Sequence, residues 1–277
     1  MNQKPFKGKA IYNPSGKAGE YSAWACNFYT GCSNMCNYCY CRRGVMSHVW
    51  SETPKLKSCF RHELDAINIF EKEVKQNLDQ LQKYGLFFSF TTDPMLSETI
   101  YLTIQACCFC MQNSIPVSIL TKVDFKSIEL YTDGLSCLFP EIVPEEYKHL
   151  LSFGFTLTGC DEEEPHASSN EERISCMKKL HEMGYKTWSS IEPVINISKS
   201  MDMIRQSSEY CLLYKVGLLS GKKYPKAELV QFINEVTTSY PNNLFYFKES
   251  IIQQAGIARE DLPRNCVDRY YNMFNSK

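Results

Sequence analysis

The sequence predicts an α/β fold with a parallel sheet, a partial (β/α)6 TIM-like barrel. Short apolar runs alternate with stretches of helical periodicity along the 277 residues, which is the pattern of parallel α/β folds. Six strand–helix units are fewer than the eight that close such a barrel. No internal repeat, low-complexity tract or Gly/Ser-rich linker interrupts the alternation. We therefore predict a single domain over residues 1–277, with an N-terminal extension over 1–20 and an irregular tail from about residue 250.

The predicted elements are apolar runs bounded by polar residues or glycine. The strands are predicted over 22–29, 86–90, 116–120, 151–157, 186–191, 210–216 and 244–247. Helices are predicted over 61–84, 97–112 and 227–239. A further helix is predicted to begin at Asn170, whose side chain can cap it. On these helices we expect one face to be buried, and that face comprises Leu64, Ile67, Val74, Leu78, Leu81, Ile100, Ile104, Cys108, Met111, Leu229, Ile233 and Val236.

Composition restricts the class of protein. The hydrophobic fraction of 44% and the charged fraction of 22% are typical of a folded, water-soluble domain. The 30 basic and 31 acidic residues produce no strong field for polyanions, so a nucleic-acid substrate is neither supported nor excluded. The N-terminus has no apolar run for a signal peptide, and no stretch is long enough to cross a membrane, so we predict a cytoplasmic protein without membrane contact.

Three of the fourteen cysteines form the most specific motif. The segment Gly-Cys-Ser-Asn-Met-Cys-Asn-Tyr-Cys places Cys32, Cys36 and Cys39 in a loop after the first predicted strand. Soft thiolates select iron–sulfur clusters, zinc or Cu(I), and this close spacing lets one loop surround a cluster. Three ligands leave one iron of a [4Fe–4S] cluster open. The alternative is a structural zinc site, with Cys41 or Cys26 as the fourth thiolate.

The C-x3-C-x2-C spacing, with aromatic Tyr38 before the last cysteine, resembles the radical S-adenosylmethionine (SAM) superfamily. The resemblance implies a [4Fe–4S] cluster on Cys32, Cys36 and Cys39 whose open iron binds SAM. It also implies reductive cleavage of SAM to a 5′-deoxyadenosyl radical that abstracts hydrogen from a substrate. An electron donor such as flavodoxin or ferredoxin would supply the electron.

Further motifs resemble the spore photoproduct lyase-like group of this superfamily, often labelled DNA-repair photolyases. The run from Asn27 to Cys32, and Cys39 followed by Tyr40, are similar to that group's opening motif, although Phe28 replaces the usual proline. The resemblance implies contacts to SAM at the ends of successive strands, with Asp93 facing the SAM ammonium and Lys122 facing its carboxylate. The implied SAM-binding residues are Tyr38, Thr92, Asp93, Lys122, Thr156, Thr158 and Glu192.

The sequence says less about the hydrogen donor and the substrate than about the cluster ligands. Phe90 or Thr91 stands where the lyase has its hydrogen-donating cysteine, so thymine-dimer repair by that mechanism is not expected. Cys160, just after the fourth predicted strand, is an alternative donor, although a small thiol at a strand end also suits core packing. A nucleotide or nucleic-acid substrate is the leading hypothesis. Modification of a peptide or small molecule is the second, and a metal-bearing binding module without catalysis is the third.

Two lysines and a group of three cysteines also have informative positions in the sequence. Lys215 and Lys248 lie at predicted strand ends, where they can meet an anionic substrate. Cys107, Cys108 and Cys110 lie on one predicted helix and point in different directions, so core packing is favoured over a second cluster.

Overall fold

One eight-stranded sheet forms the centre of the protein in a computed structural model that describes residues 5–124 and 143–275. The strands of the chain are β1 Ile11–Tyr12, β2 Ala25–Cys26, β3 Tyr29–Thr30, β4 Lys55–Leu56, β5 Leu86–Phe88, β6 Val117–Thr121, β7 Leu151–Thr156, β8 Lys186–Val194, β9 Leu213–Leu218 and β10 Leu244–Phe247. The sheet has the order β1-β2-β5-β6-β7-β8-β9-β10, and β3 pairs with β4 in a separate small sheet. Only the β1–β2 pair in the large sheet is antiparallel. Within the described residues the outermost strands do not pair with each other, so the predicted parallel α/β fold is confirmed as an open sheet.

Helices cover one face of this sheet. The α-helices of the described residues are α1 Tyr40–Arg43, α2 Glu63–Gln76, α3 Leu78–Tyr84, α4 Ile100–Gln112, α5 Glu145–Lys148, α6 Asn170–Glu182, α7 Ile197–Ser207, α8 Lys226–Ser239 and α9 Glu249–Ala255, and the longer ones provide this cover. Helix α4 contacts β6, α6 contacts β7 and β8, and α9 contacts β9. The larger apolar core lies between these helices and the sheet, where Ile191, Val216 and Phe247 are buried. None of the helices in the described residues is both long enough and apolar enough to span a bilayer.

The opposite face of the sheet, here called the inner face, carries a smaller cluster of buried residues: Phe87, Trp188, Leu213, Tyr246 and Met273. Gly154 pairs with Trp188 in the sheet, and a Cβ at Gly154 would overlap the Trp188 ring, so this row requires glycine. Two residues closer to the carboxyl ends of the strands, the next row in register on this face consists of Thr156, Ser190, Lys215 and Tyr246. The inner face therefore changes from apolar to polar toward the carboxyl ends of its strands.

Several boundaries differ from the predictions. The first predicted strand, 22–29, contains only the two residues of β2 in the large sheet, because the chain then leaves to pair β3 with β4. The predicted helix over 61–84 divides at Asn77, whose side chain donates to the carbonyl of Glu73 and competes with the helix backbone. Helix α7 was not predicted. The segments called an extension and an irregular tail contain β1 and α9.

Three side-chain predictions were wrong. Leu64 is 64% exposed because it lies in the first turn of α2, and Cys108 is exposed because Cys107 and Cys110 take the inward positions of α4. Asn170 does not cap its helix. Ser169 does so through a capping box with Glu172, while the Asn170 side-chain oxygen accepts from the backbone N–H groups of Thr158 and Gly159.

Candidate functional site

The candidate site lies where four neighbouring strands end. Strands β2, β5, β6 and β7 are parallel and adjacent, so the residues that follow them meet at one edge of the sheet. Residues 31–39, here called the cysteine loop, follow β2 and β3, and Asp93, Lys122 and Thr158 follow the next three strands. The predicted residues of the cysteine loop and of three strand ends are therefore neighbours in the structure.

The cysteine loop is fixed through its backbone. Gly31 has a φ of +91°, and a Cβ there would lie 2.6 Å from the carbonyl oxygens of Ser51 and Thr53. The N–H of Cys32 donates to the Ser51 carbonyl at 3.1 Å, and the N–H of Asn37 donates to the Glu163 carbonyl at 2.9 Å. Both ends of the loop are thus attached to segments distant in sequence.

Asp93 is the centre of the hydrogen bonding at this edge. Its Oδ2 accepts from Asn34 Nδ2 at 2.9 Å and from the Lys122 N–H at 2.7 Å. Its Oδ1 accepts from Thr121 Oγ1 at 2.7 Å and from the Met95 N–H at 3.0 Å. A carboxylate has about four acceptor sites, so the chain itself fills them. The structure thus gives Asp93 the role of joining the cysteine loop to β6, whereas the predicted contact with the SAM ammonium requires a free acceptor.

A buried ion pair supports the other side of the cysteine loop. Arg173 Nη1 lies 2.7 Å from Glu164 Oε2, and both side chains are fully buried. The Tyr38 hydroxyl donates to Glu164 Oε1, and Thr158 Oγ1 donates to Oε2 at 3.2 Å. Tyr38 therefore bonds to the chain rather than presenting a free hydroxyl to a cofactor. Neither Glu164 nor Arg173 was singled out from the sequence, where Glu164 is the last of four consecutive acidic residues.

Lys122 and Thr92 supply polar groups that the described residues leave without a hydrogen-bond partner. The Lys122 ammonium lies 5.8 Å from the centre of the Tyr38 ring, with no ion-pair partner among the residues that the structure describes. Burial acts to lower the pKa of Lys122, but nearby Cys36 and Glu164 outweigh it and raise that pKa above its usual value. Thr92 Oγ1 is buried without a partner in the same described set. A buried hydroxyl and an unpaired ammonium at one sheet edge fit a polar, anionic ligand.

The three thiols differ in their surroundings. Burial, with Asp93 nearby, raises the pKa of Cys32 to about 12, and burial also raises the pKa of Cys36. A hydrogen bond from the Cys41 thiol lowers the pKa of Cys39 to about 6. Binding of a metal to these thiols would displace protons from Cys32 and Cys36.

Three soft thiolates in one loop are ligands that iron–sulfur clusters and zinc ions both use. Within residues 5–124 and 143–275, no three His, Cys, Asp or Glu side chains are arranged to hold one metal ion. A zinc ion needs its thiolates about 2.3 Å from one centre, whereas the thiolates of a cubane cluster bind separate irons and lie farther apart. Cys26 is buried in β2 beside Cys107 and Glu73, away from the loop, so of the two proposed fourth ligands only Cys41 is near Cys39.

The other predicted residues are spread along the edge. Thr156 ends β7, and its carbonyl accepts from Arg173 Nη1 at 2.8 Å. Thr158 accepts from the Cys160 N–H at 3.2 Å, so it shapes the loop after β7. The Cys160 thiol is buried next to Lys199 and Glu162, which form an exposed ion pair, and Glu164 is also nearby. The Cys160 carbonyl accepts from the Glu163 N–H at 3.0 Å, and the Glu163 carbonyl accepts from the Asn37 N–H of the cysteine loop. The role of Cys160 as a hydrogen donor stays a prediction.

Glu192 belongs to a second polar cluster, on the inner face. Lys248 Nζ lies 2.8 Å from Glu192 Oε2, and the Tyr21 hydroxyl is 2.7 Å from the same oxygen and 2.6 Å from Ser190 Oγ. Lys215 Nζ donates to the Tyr21 carbonyl at 2.5 Å, and burial, with Lys248 nearby, lowers the pKa of Lys215 to about 7. The predicted strand-end lysines do meet, but the chain's own residue Tyr21 lies between them. Glu192 is thus paired within the chain, and its contact with SAM stays a prediction.

Comparison with known proteins gives a limited result. No family model matches the sequence, and no curated protein matches it. Among solved structures the chain is similar to SuiB of Streptococcus suis bound to S-adenosylmethionine, with a TM-score of 0.49 and 14% sequence identity. The similarity covers 81% of this chain and 48% of the SuiB chain, so the chain spans about half the length of that protein. At this identity and TM-score the similarity does not extend to function.

The buried pair of Glu164 and Arg173 makes a prediction about stability. Removing one partner leaves the other charge buried, so Arg173→Met should lower the free energy of unfolding by about 3–5 kcal/mol. The double variant Glu164→Leu, Arg173→Met should recover part of that loss. Denaturant titration followed by circular dichroism measures both, with the exposed pair variant Arg205→Met as the control expected to cost less than about 1 kcal/mol. Equal losses for Arg173→Met and Arg205→Met would contradict the buried-pair interpretation.

Proposed function

We propose that the protein is a radical SAM enzyme that binds one [4Fe–4S] cluster through Cys32, Cys36 and Cys39. The observation that carries the proposal is the cysteine loop itself. Its three thiols lie at the carboxyl edge of a parallel sheet, beside an ammonium that has no ion-pair partner among the described residues. Soft thiolates with a fourth position left for a ligand suit an iron–sulfur cluster.

We assign separate roles to the residues around the cysteine loop. Cys32, Cys36 and Cys39 hold the cluster, and Lys122 binds the carboxylate of SAM through a charge-assisted hydrogen bond. Thr92 and Thr156 offer hydroxyl groups to the rest of SAM. Asp93 and the Glu164–Arg173 pair hold the loop and Lys122 in position rather than touching SAM. When bound, the cluster and SAM supply the radical chemistry, and the surrounding strands exclude water from it.

The substrate proposal is a nucleotide or nucleic acid, in a lyase-like reaction. It is supported by the motifs that resemble those of the spore photoproduct lyase-like group. We further propose one radical SAM domain over residues 1–277 in a cytoplasmic protein, with flavodoxin or ferredoxin as the electron donor. Cys160, in the loop after β7, is the proposed alternative hydrogen donor.

Metal content tests the proposal directly. Anaerobically reconstituted protein should bind about four iron and four sulfide per chain, because three thiolates and SAM complete one cubane. The triple change Cys32→Ala, Cys36→Ala, Cys39→Ala should abolish iron binding, whereas Cys107→Ala, which alters a buried core thiol, should retain it. Iron and sulfide assays with the absorption spectrum near 400 nm give the answer. One tightly bound zinc without iron would refute the proposal in favour of a metal-bearing binding module.

Lys122 and Asp93 should behave differently when changed. Lys122→Met removes the cation that faces the SAM carboxylate, so SAM affinity should fall at least about tenfold while iron content stays at the wild-type level. Asp93→Asn replaces an acceptor oxygen with an NH2 group that faces hydrogen-bond donors, so both iron content and stability should fall. Equilibrium SAM binding, iron assays and thermal unfolding separate the two effects. An Asp93→Asn variant with wild-type stability and iron, and reduced SAM affinity alone, would restore Asp93 as a SAM ligand.

A further inference from the structure

The segment that follows the cysteine loop carries an unusual local charge. Residues 40–57, here called the flap, contain four Lys or Arg residues and one acidic residue, Glu52, whereas the whole chain has a net charge of −1. Arg43 and Lys55 are exposed on this segment, as is His48. The flap is therefore a positive area on a protein without an overall positive charge.

Large apolar side chains are exposed on the same flap. Tyr40 is 59% exposed and Val49 is 44% exposed, and among the described residues few large apolar side chains are as accessible. Arg42 lies over the Trp50 ring, with its guanidinium carbon 5.2 Å from the ring centre. Exposed aromatic and apolar groups next to arginine are the composition that protein interfaces favour.

The flap is attached directly to the cysteine loop. Arg43 Nη2 donates to the Asn37 carbonyl at 2.8 Å, and Arg42 Nη1 donates to the Met35 carbonyl at 3.3 Å. Asn37 is the exposed residue of the loop, so the loop reaches solvent beside these arginines. On its inner sides the loop meets buried groups, Asp93 and the Glu164–Arg173 pair.

The other rim of the exposed loop is acidic. The Asn37 N–H bonds to the Glu163 carbonyl, and Glu163 belongs to a turn with Asp161 and Glu162. Glu162 is paired with Lys199. A negatively charged protein that approaches the loop is therefore attracted on the flap side and repelled on the opposite rim.

We propose that the flap is the docking surface for an acidic one-electron carrier protein of the flavodoxin or ferredoxin class. This proposal rests on the proposed function, since it presumes that the cysteine loop holds the cluster. The reduced carrier would be oxidised by one electron and the cluster reduced by one electron, with no bond formed and no proton moved. Arg43 and Lys55 would steer the carrier, while Tyr40 and Val49 would form the apolar contact.

Charge changes on the flap test the proposal against matched changes elsewhere. The variant Arg43→Gln, Lys55→Gln removes two charges but keeps amide groups that can donate to the Asn37 carbonyl. The variant Arg43→Glu, Lys55→Glu reverses the charges. The control Lys178→Glu, Lys223→Glu makes the same change in net charge, at two exposed lysines outside the flap.

Two measurements are compared. The first is the affinity for an acidic flavodoxin, by fluorescence titration of protein without a cluster and of reconstituted protein. The second is the rate of cluster reduction by flavodoxin hydroquinone and by dithionite. At low salt the glutamate variant should lose at least about tenfold in affinity and in the flavodoxin rate, and the glutamine variant less. The differences should shrink at high salt, while the dithionite rate and the control variant stay close to wild type.

The outcomes that would contradict the docking surface differ from those that would contradict the proposed function. Equal losses in the control and flap variants, or no binding of flavodoxin or ferredoxin to the wild type, would overturn the docking surface. Binding of a single-stranded oligonucleotide that requires Arg43 and Lys55, without carrier binding, would assign the flap to nucleic acid instead. If no cluster forms at all, the proposed function fails, but titration of the cluster-free protein still decides whether an acidic carrier binds the flap.

Discussion

The carboxylate of Asp93 is the interaction on which the candidate site depends. It accepts hydrogen bonds from the cysteine loop, from the turn after β5 and from both residues at the end of β6, so one buried group joins three segments. A buried carboxylate costs several kcal/mol of desolvation unless it is fully hydrogen-bonded, so every donor around it must be present. The arrangement fixes the backbone of Lys122 and, through Asn34, the turn between the first two thiols. The backbone of Lys122 and the turn between Cys32 and Cys36 are thus positioned by a single acceptor.

The Glu164–Arg173 pair plays the corresponding role on the far side of the loop. Because its charges are fully buried, it contributes more to a unique arrangement than to net stability, and its Arg173 Nη2 has no partner among the described residues. Between Asp93 and Glu164 the cysteine loop has little freedom, which suits a loop that must present thiolates in a fixed geometry. The inner-face cluster around Lys215 and Lys248 belongs to the other half of the same sheet, since β9 is separated from β6 by β7 and β8.

The sequence predicts the order of strands and helices well, because alternating apolar runs report burial directly. Strand β10 and helix α8 are found almost where periodicity puts them. Periodicity is uninformative about where a chain leaves a sheet, so the early end of β2 and helix α7 were missed. For the site, the cysteine motif and the predicted strand ends identify which residues meet. They do not identify the hydrogen-bond partners of those residues. Asp93, Thr158 and Glu192 look like free strand-end groups in sequence, and only the structure reveals that these side chains already bond to other residues of the chain.

The proposed cluster on the cysteine loop has one iron left for SAM. Electron paramagnetic resonance of the dithionite-reduced cluster can detect this, when spectra are recorded with and without SAM labelled with 15N at its amino group and 17O at its carboxylate. We expect SAM to change the spectrum and both labels to give hyperfine coupling to the cluster. An unchanged spectrum without coupling, as a cluster with four protein ligands would give, would contradict it.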